Sequence, residues 1–163
     1  MSRCGECSWC CFFTAVPELA KPNNQWCCFC KPGEGCGSYN LRPSSCSEYI
    51  CLYFANYWLP EDYRPDKCGV MFEKLYDSKV FLALVDPKRP NSWLTGLGRK
   101  VIAKLRDGGF SVVVCAKRGN PFHFILADGD TKDNIIHSIR HAIQASNAKV
   151  EETRGSSVVH FGS

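Results

Sequence analysis

The stretch CGECSWCC, residues 4–11, places four thiols in eight positions. Cys4 and Cys7 are separated by two residues, as are Cys7 and Cys10 and, further on, Cys27 and Cys30. A Cys-x2-Cys turn brings two sulfurs to one side of a tight bend, at the separation a tetrahedral ion requires. The same spacing reads as disulfides in an oxidising compartment and as metal ligands in a reducing one. Residues 1–26 hold no long apolar run behind a basic start, and no stretch approaches the roughly 20 apolar residues of a membrane span. A cytoplasmic protein with reduced thiols and no membrane segment is therefore expected.

Working outward from this stretch, eleven of the twelve cysteines fall in the first 68 residues and only Cys115 lies beyond. Residues 1–68 carry six Lys/Arg against seven Asp/Glu, while residues 69–163 carry fourteen against nine, so the net charge of +4 belongs to the back half. Segments 12–25 and 31–44 are broken by Pro, Gly and Ser and support no long regular element. CSEYICLYFANYWL, 46–59, is helix-compatible, with Tyr49, Leu52, Tyr53 and Trp58 expected on one apolar face. PEDYRPDK, 60–67, reads as a connector. The expected organisation is a cysteine-rich metal-binding module over 1–68, an α+β domain over 69–150, and a flexible tail or edge strand over 151–163, with SVVHF (157–161) as the strand.

The domain after Cys68 follows ordinary strand and helix grammar. GVMFEKL (69–75) and KVFLALV (79–85) flank Tyr76-Asp77-Ser78 and predict a hairpin; FSVVVCAK (110–117) and PFHFILAD (121–128) predict a second around Arg118-Gly119-Asn120. Asn91-Ser92 can cap a helix carrying Leu94, Leu97, Val101, Ile102 and Leu105 on one face and ending at Gly108-Gly109. Asp130-Thr131 opens a last helix with Ile135, Ile136, Ile139, Ala142 and Ile143 on one face. The expected class is α+β: a loop-rich cysteine module followed by an antiparallel ββαββα sandwich with its helices on one face.

Cys36, Cys46 and Cys51 offer further ligands beside the knuckles. Only thiols are on offer nearby, since His123, His137, His141 and His160 all lie in the back half, so zinc, or iron in a sulfide cluster, is the expected metal. A ferredoxin run would need a fourth cysteine at position 14, which is Thr. Cys28 sits between better-placed ligands, and Cys115 on an apolar strand is expected to be a buried free thiol.

CGECSWCC together with WCCFCKPGEGCGSYNLRPSSCSEYIC (26–51) resembles the CxxCxxCC cysteine-cluster family, the YkgJ-type bacterial proteins regarded as zinc or iron chelators. The resemblance covers roughly residues 4–68, and Tyr39, Arg42 and Pro43 reproduce the family's YxxRP. It implies metal ligation by Cys4, Cys7, Cys10, Cys11, Cys27, Cys30, Cys36, Cys46 and Cys51. Phe29 stands where the family often has His. Nine thiolates satisfy three tetrahedral ions if three sulfurs bridge, and eight satisfy two separate sites, so two or three zinc ions are expected. Either arrangement is anionic, and Arg3, Lys21, Lys31, Arg42 and Lys67 are candidate donors to sulfur, with Arg42 the preferred buried one.

Other constellations are poorer. His137 and His141 have zinc-pair spacing, but HSIRH lacks the Glu of H-E-x-x-H and surface positions are expected. The glycines at 96, 98, 108 and 109 do not form a phosphate loop. No nucleophile has an identifiable base, so a catalytic role is not expected. Arg99, Lys100, Lys104 and Arg106 ride one helix and could dock an acidic protein partner; a nucleic-acid role is disfavoured by the modest net charge. The function expected is that of a metal-binding protein chelating zinc, less readily iron, with the α+β part as interaction surface. The alternatives are an iron–sulfur electron-transfer or oxidoreductase component and a zinc-stabilised nucleic-acid-associated protein.

Overall fold

Residues rich in Gly, Pro and Cys cannot sustain long hydrogen-bonded ladders, and in the computed structural model no element before Val70 exceeds five residues among the described residues. The structure describes residues 4–115 and 122–156, with side chains described as far as residue 145. The front part comprises α1 (Trp9–Phe13), a two-stranded antiparallel ribbon of β1 (Cys30–Lys31) and β2 (Gly35–Cys36), and the short helices α2 (Ser44–Ser47), α3 (Leu52–Ala55) and α4 (Pro65–Cys68). Single 3-10 turns lie at Pro17–Leu19, Tyr39–Leu41 and Glu61–Tyr63.

The expected helix across 46–59 is divided between α2 and α3. Tyr53 is buried and Leu52 packs on the sheet core, but Trp58 is 66 % exposed, so the four aromatic and aliphatic residues do not share one face. The Asn56 amide donates to the Leu52 carbonyl at 2.7 Å and closes α3 after one turn.

The back part is mixed α+β. Strands β3 (Val70–Lys74), β4 (Val80–Val85), β5 (Ser111–Cys115) and β6 (His123–Ile125) form one sheet in the order β3-β4-β5-β6. The outer pairs are antiparallel, but β4 and β5 run parallel, with Val80 opposite Ser111 and Leu84 opposite Cys115. An all-antiparallel sheet is therefore not what forms. The physical reason is α5 (Gly96–Asp107), which carries the chain back along the sheet before β5 begins, as a parallel pair requires.

The helices also take opposite faces rather than one. Val101 and Ile102 of α5 pack with Phe72, Phe81, Ala83, Val85, Val112 and Val114, whereas Ile135 and Ile139 of α6 (Lys132–Ser156) pack with Val80, Leu82, Val113 and Phe124. Successive strand residues point to opposite faces, so each set of strand positions needs its own cover. Ile135 is fully buried, whereas Ile143 is 54 % exposed, so among the described side chains the apolar contact of α6 is made by its first turns.

Helix α5 starts at Gly96 with Thr95 as N-cap, not at Asn91. Ser92 is committed elsewhere: its hydroxyl donates to the Gly69 carbonyl at 2.8 Å. Gly98 lets the helix pass close by, because a Cβ there would overlap the Ser92 carbonyl oxygen and crowd Val70. The Arg118-Gly119-Asn120 turn and the 157–161 strand lie outside the described residues.

Candidate functional site

Each knuckle is closed by its own backbone. The Cys7 amide donates to the Cys4 carbonyl at 2.8 Å, with Gly5 at φ +51°, and the Cys30 amide donates to the Cys27 carbonyl at 3.0 Å. A further bond from the Cys27 amide to the Cys11 carbonyl, 3.0 Å, lays the second knuckle against α1. Cys30 then pairs across the ribbon with Cys36, so this ribbon returns a third cysteine to the same place.

The result is a cavity of about 370 Å³ lined in part by Cys4, Cys7, Cys10, Cys11, Cys27, Cys36 and Cys46. The other two expected ligands are adjacent: Cys30 is hydrogen-bonded to Cys11, and Cys51 stands close enough to Cys4 to feel its charge. Cys28 is exposed. Cys68 is half-buried and its thiol donates to the Val70 carbonyl at 3.2 Å, while Cys115 is half-buried against the α6 face of the sheet. All twelve cysteines are free thiols.

A set of soft thiol donors around one cavity suits zinc in its chemistry. As the side chains stand, however, no group of three or more His, Cys, Asp or Glu among the described residues is arranged to hold an ion. Ligation would require the sulfurs to converge on it. It would also require them to lose protons. Burial pushes the Cys7 and Cys30 thiols up to about 12 and raises Cys46 and Cys51; Cys11 is raised by its hydrogen bond with Cys10 and then by burial.

Two buried cations adjoin these thiols, and neither is Arg42. Lys21 is 8 % exposed, and its ammonium donates to the carbonyls of Phe12 (3.3 Å), Pro22 (3.1 Å) and Thr14. Its acceptors are thus backbone oxygens rather than sulfur. Desolvation lowers its pKa, and the nearby Cys27, Cys11, Cys46 and Cys10 oppose that shift. Arg64 is 7 % exposed and lies beneath the first knuckle, its guanidinium 2.9 Å from the point a Cβ on Gly5 would occupy. It pairs with Asp66 (2.7 Å), Glu61 (3.1 Å) and, more distantly, Glu6 (3.9 Å). Its signal in the sequence was a single arginine between Glu61-Asp62 and Asp66.

The other candidate cations are placed otherwise. Arg42 lies in the cavity wall with its guanidinium over the Tyr39 ring at 3.6 Å. Lys31 and Lys67 form exposed ion pairs with Glu34 (3.8 Å) and Glu61 (2.8 Å), and Arg3 is outside the described residues.

Two polar contacts fix the walls. Glu18 accepts hydrogen bonds from the hydroxyls of Ser44 (2.9 Å) and Ser45 (2.6 Å) and from the Ser45 amide (3.0 Å), tying the Pro17–Leu19 turn to α2. From the cavity wall, the Tyr49 hydroxyl donates to Glu73 on β3 at 3.2 Å, so the cysteine module and the sheet share a half-buried polar contact. Burial raises Glu73, with the Tyr49 hydrogen bond opposing it, and burial raises Tyr49 well above the usual phenol range.

His137 and His141 are exposed on α6, and His123 stacks on Trp93 with ring centres 4.9 Å apart. Arg99, Lys100, Lys104 and Arg106 are all exposed on α5, and Arg106 pairs with Asp107 at 3.3 Å. No helix among the described residues is long and apolar enough to cross a membrane. Comparison with protein-family models, with curated proteins and with solved structures finds no match.

Proposed function

We propose that residues 4–68 are a metal-binding module that chelates zinc, with iron as the alternative, through Cys4, Cys7, Cys10, Cys11, Cys27, Cys30, Cys36, Cys46 and Cys51. The observation that carries this reading is that seven of these nine cysteines, from four separate chain segments, line one cavity. The resemblance of the segment to the CxxCxxCC family and the two buried cations beside the thiols support it. A bound cation would supply the charge that lets buried thiols ionise. The chain's own contribution is to hold the sulfurs on short closed turns, with Lys21 to offset part of their negative charge and Arg64, neutralised by its carboxylate partners, to brace the first knuckle. A reducing, cytoplasmic setting suits such a module. The exposed basic face of α5, with Arg99, Lys100, Lys104 and Arg106, is where we place an acidic protein partner.

Paired substitutions test the ligand assignment. Cys30→Ser breaks a knuckle and should reduce the metal retained per chain, whereas Cys115→Ser alters only packing beside the sheet and should leave metal content unchanged. Equal metal content in the two variants would contradict the assignment. A brown protein with charge-transfer absorption would favour the iron–sulfur alternative over zinc.

A further inference from the structure

We propose that the mouth of the thiol-lined cavity binds a small organic carboxylate with an apolar body, whose acid group is held by Arg42. This goes beyond the metal reading and does not depend on it. The cavity, about 370 Å³, lies within the size range of small-molecule sites. At about 30 Å³ per water it has room for roughly a dozen, so a few ions would occupy a minor part of it.

The wall chemistry names the ligand. Leu19, Phe29, Tyr39 and Leu41 line the cavity, and the last three are 46 %, 43 % and 85 % exposed. Large apolar side chains held in water at a cavity mouth are covered favourably by the apolar part of a ligand. Arg42 supplies the polar end. Its guanidinium stacks on Tyr39, and its Nε donates to the Tyr39 carbonyl at 2.9 Å, which fixes the plane of the group. Among the described residues its two terminal nitrogens make no hydrogen bond or ion pair. An oriented guanidinium with both terminal N–H groups available matches a carboxylate through two parallel hydrogen bonds.

Among the described residues, Arg42 is the one cation in the cavity wall. The one carboxylate in the wall, Glu34, already faces Lys31 at 3.8 Å. One arginine fork satisfies a monoanion, and a phosphate dianion would keep charge without a partner.

Calorimetric titration of the full-length protein with octanoate, phenylacetate and the neutral octanamide tests this. Saturable one-to-one binding of octanoate or phenylacetate is expected, with octanamide at least about tenfold weaker than octanoate. Arg42→Gln should weaken carboxylate binding at least about tenfold, Arg42→Lys should fall between it and the native protein, and Lys79→Gln, on the distant hairpin, should change nothing. The proposal is overturned if neither carboxylate binds saturably, if octanamide matches octanoate, or if Arg42→Gln binds as the native protein does. Metal content measured on the same samples reports separately on the metal reading: carboxylate binding by metal-free protein would keep this pocket and remove that function.

Discussion

The Arg64 guanidinium holds the Asp66 carboxylate side-on, Nε to Oδ1 at 2.7 Å and Nη2 to Oδ2 at 3.0 Å, directly beneath the first cysteine knuckle. Asp66 in turn hydrogen-bonds the Cys7 thiol. Removing one member of a buried, hydrogen-bonded ion pair strands the other and costs about 3–5 kcal/mol. Arg64→Met should therefore destabilise the protein by an amount near the lower end of that range, because Asp66 keeps some contact with water. Urea unfolding measures it; a loss indistinguishable from that of an exposed arginine such as Arg99 would remove Arg64 from its assigned place.

Glu18 makes the chain's stability depend on pH. Desolvation acts to raise its carboxyl, but the hydroxyl and amide of Ser45, its own amide and the Ser44 hydroxyl outweigh it and hold the group at about 2. A carboxylate depressed on folding stabilises above its unfolded value, about 4.3, and that contribution disappears as pH falls from there through about 2. Glu18→Gln should be less stable than the native protein at neutral pH, and the gap should close on acidification across that window. A pH-independent difference between the two unfolding curves would contradict this.

Ser111 is fully buried at the start of β5, where its hydroxyl accepts from the Ala127 amide at 3.0 Å and donates to Asp130 ahead of α6. That hydrogen bond is also the main reason the Asp130 carboxyl is lowered. Ser111→Ala leaves a buried amide without its acceptor and should cost about 1–3 kcal/mol. It should also raise the Asp130 carboxyl, a shift readable by NMR titration. An unchanged carboxyl would show that the bond is not made in solution.

The close approach at Gly98 predicts a packing defect rather than a helix-propensity gain. Alanine favours helices over glycine by roughly 1 kcal/mol, but here its Cβ would meet the Ser92 carbonyl and Val70. Gly98→Ala should destabilise by about 1–3 kcal/mol, as overpacking does. Thermal unfolding decides the sign, and a stabilised variant would refute the contact.

Hydropathy placed most strands closely: β3, β4 and β5 lie inside the expected 69–75, 79–85 and 110–117, while the fourth shrinks to His123–Ile125. The direction of the β4–β5 pair was not legible, because an apolar run such as SVVVC says that a strand is buried on both faces and nothing about which way its neighbour runs. For the same reason Val112 and Val113 could not be sorted to α5 and α6 in advance. At the site, the cysteine spacing marked Cys4, Cys7, Cys10 and Cys27, which line the cavity, and Cys30, which lies beside it. Arg64 was missed because its burial depends on Glu61 and Asp66 folding around it, which no local spacing encodes.

The central claim is that the front-segment thiols hold metal, and elemental mass spectrometry of anaerobically purified, full-length protein tests it most directly. Nine thiolates sharing three bridging sulfurs predict close to three zinc per chain, and two separate four-thiolate sites predict close to two. The bridged arrangement is the one expected here, since adjacent Cys10 and Cys11 both reach the cavity from one turn of α1 and are placed to serve neighbouring ions. Native protein that retains no zinc or iron after gel filtration, with its twelve cysteines titrating as free thiols, would contradict the account.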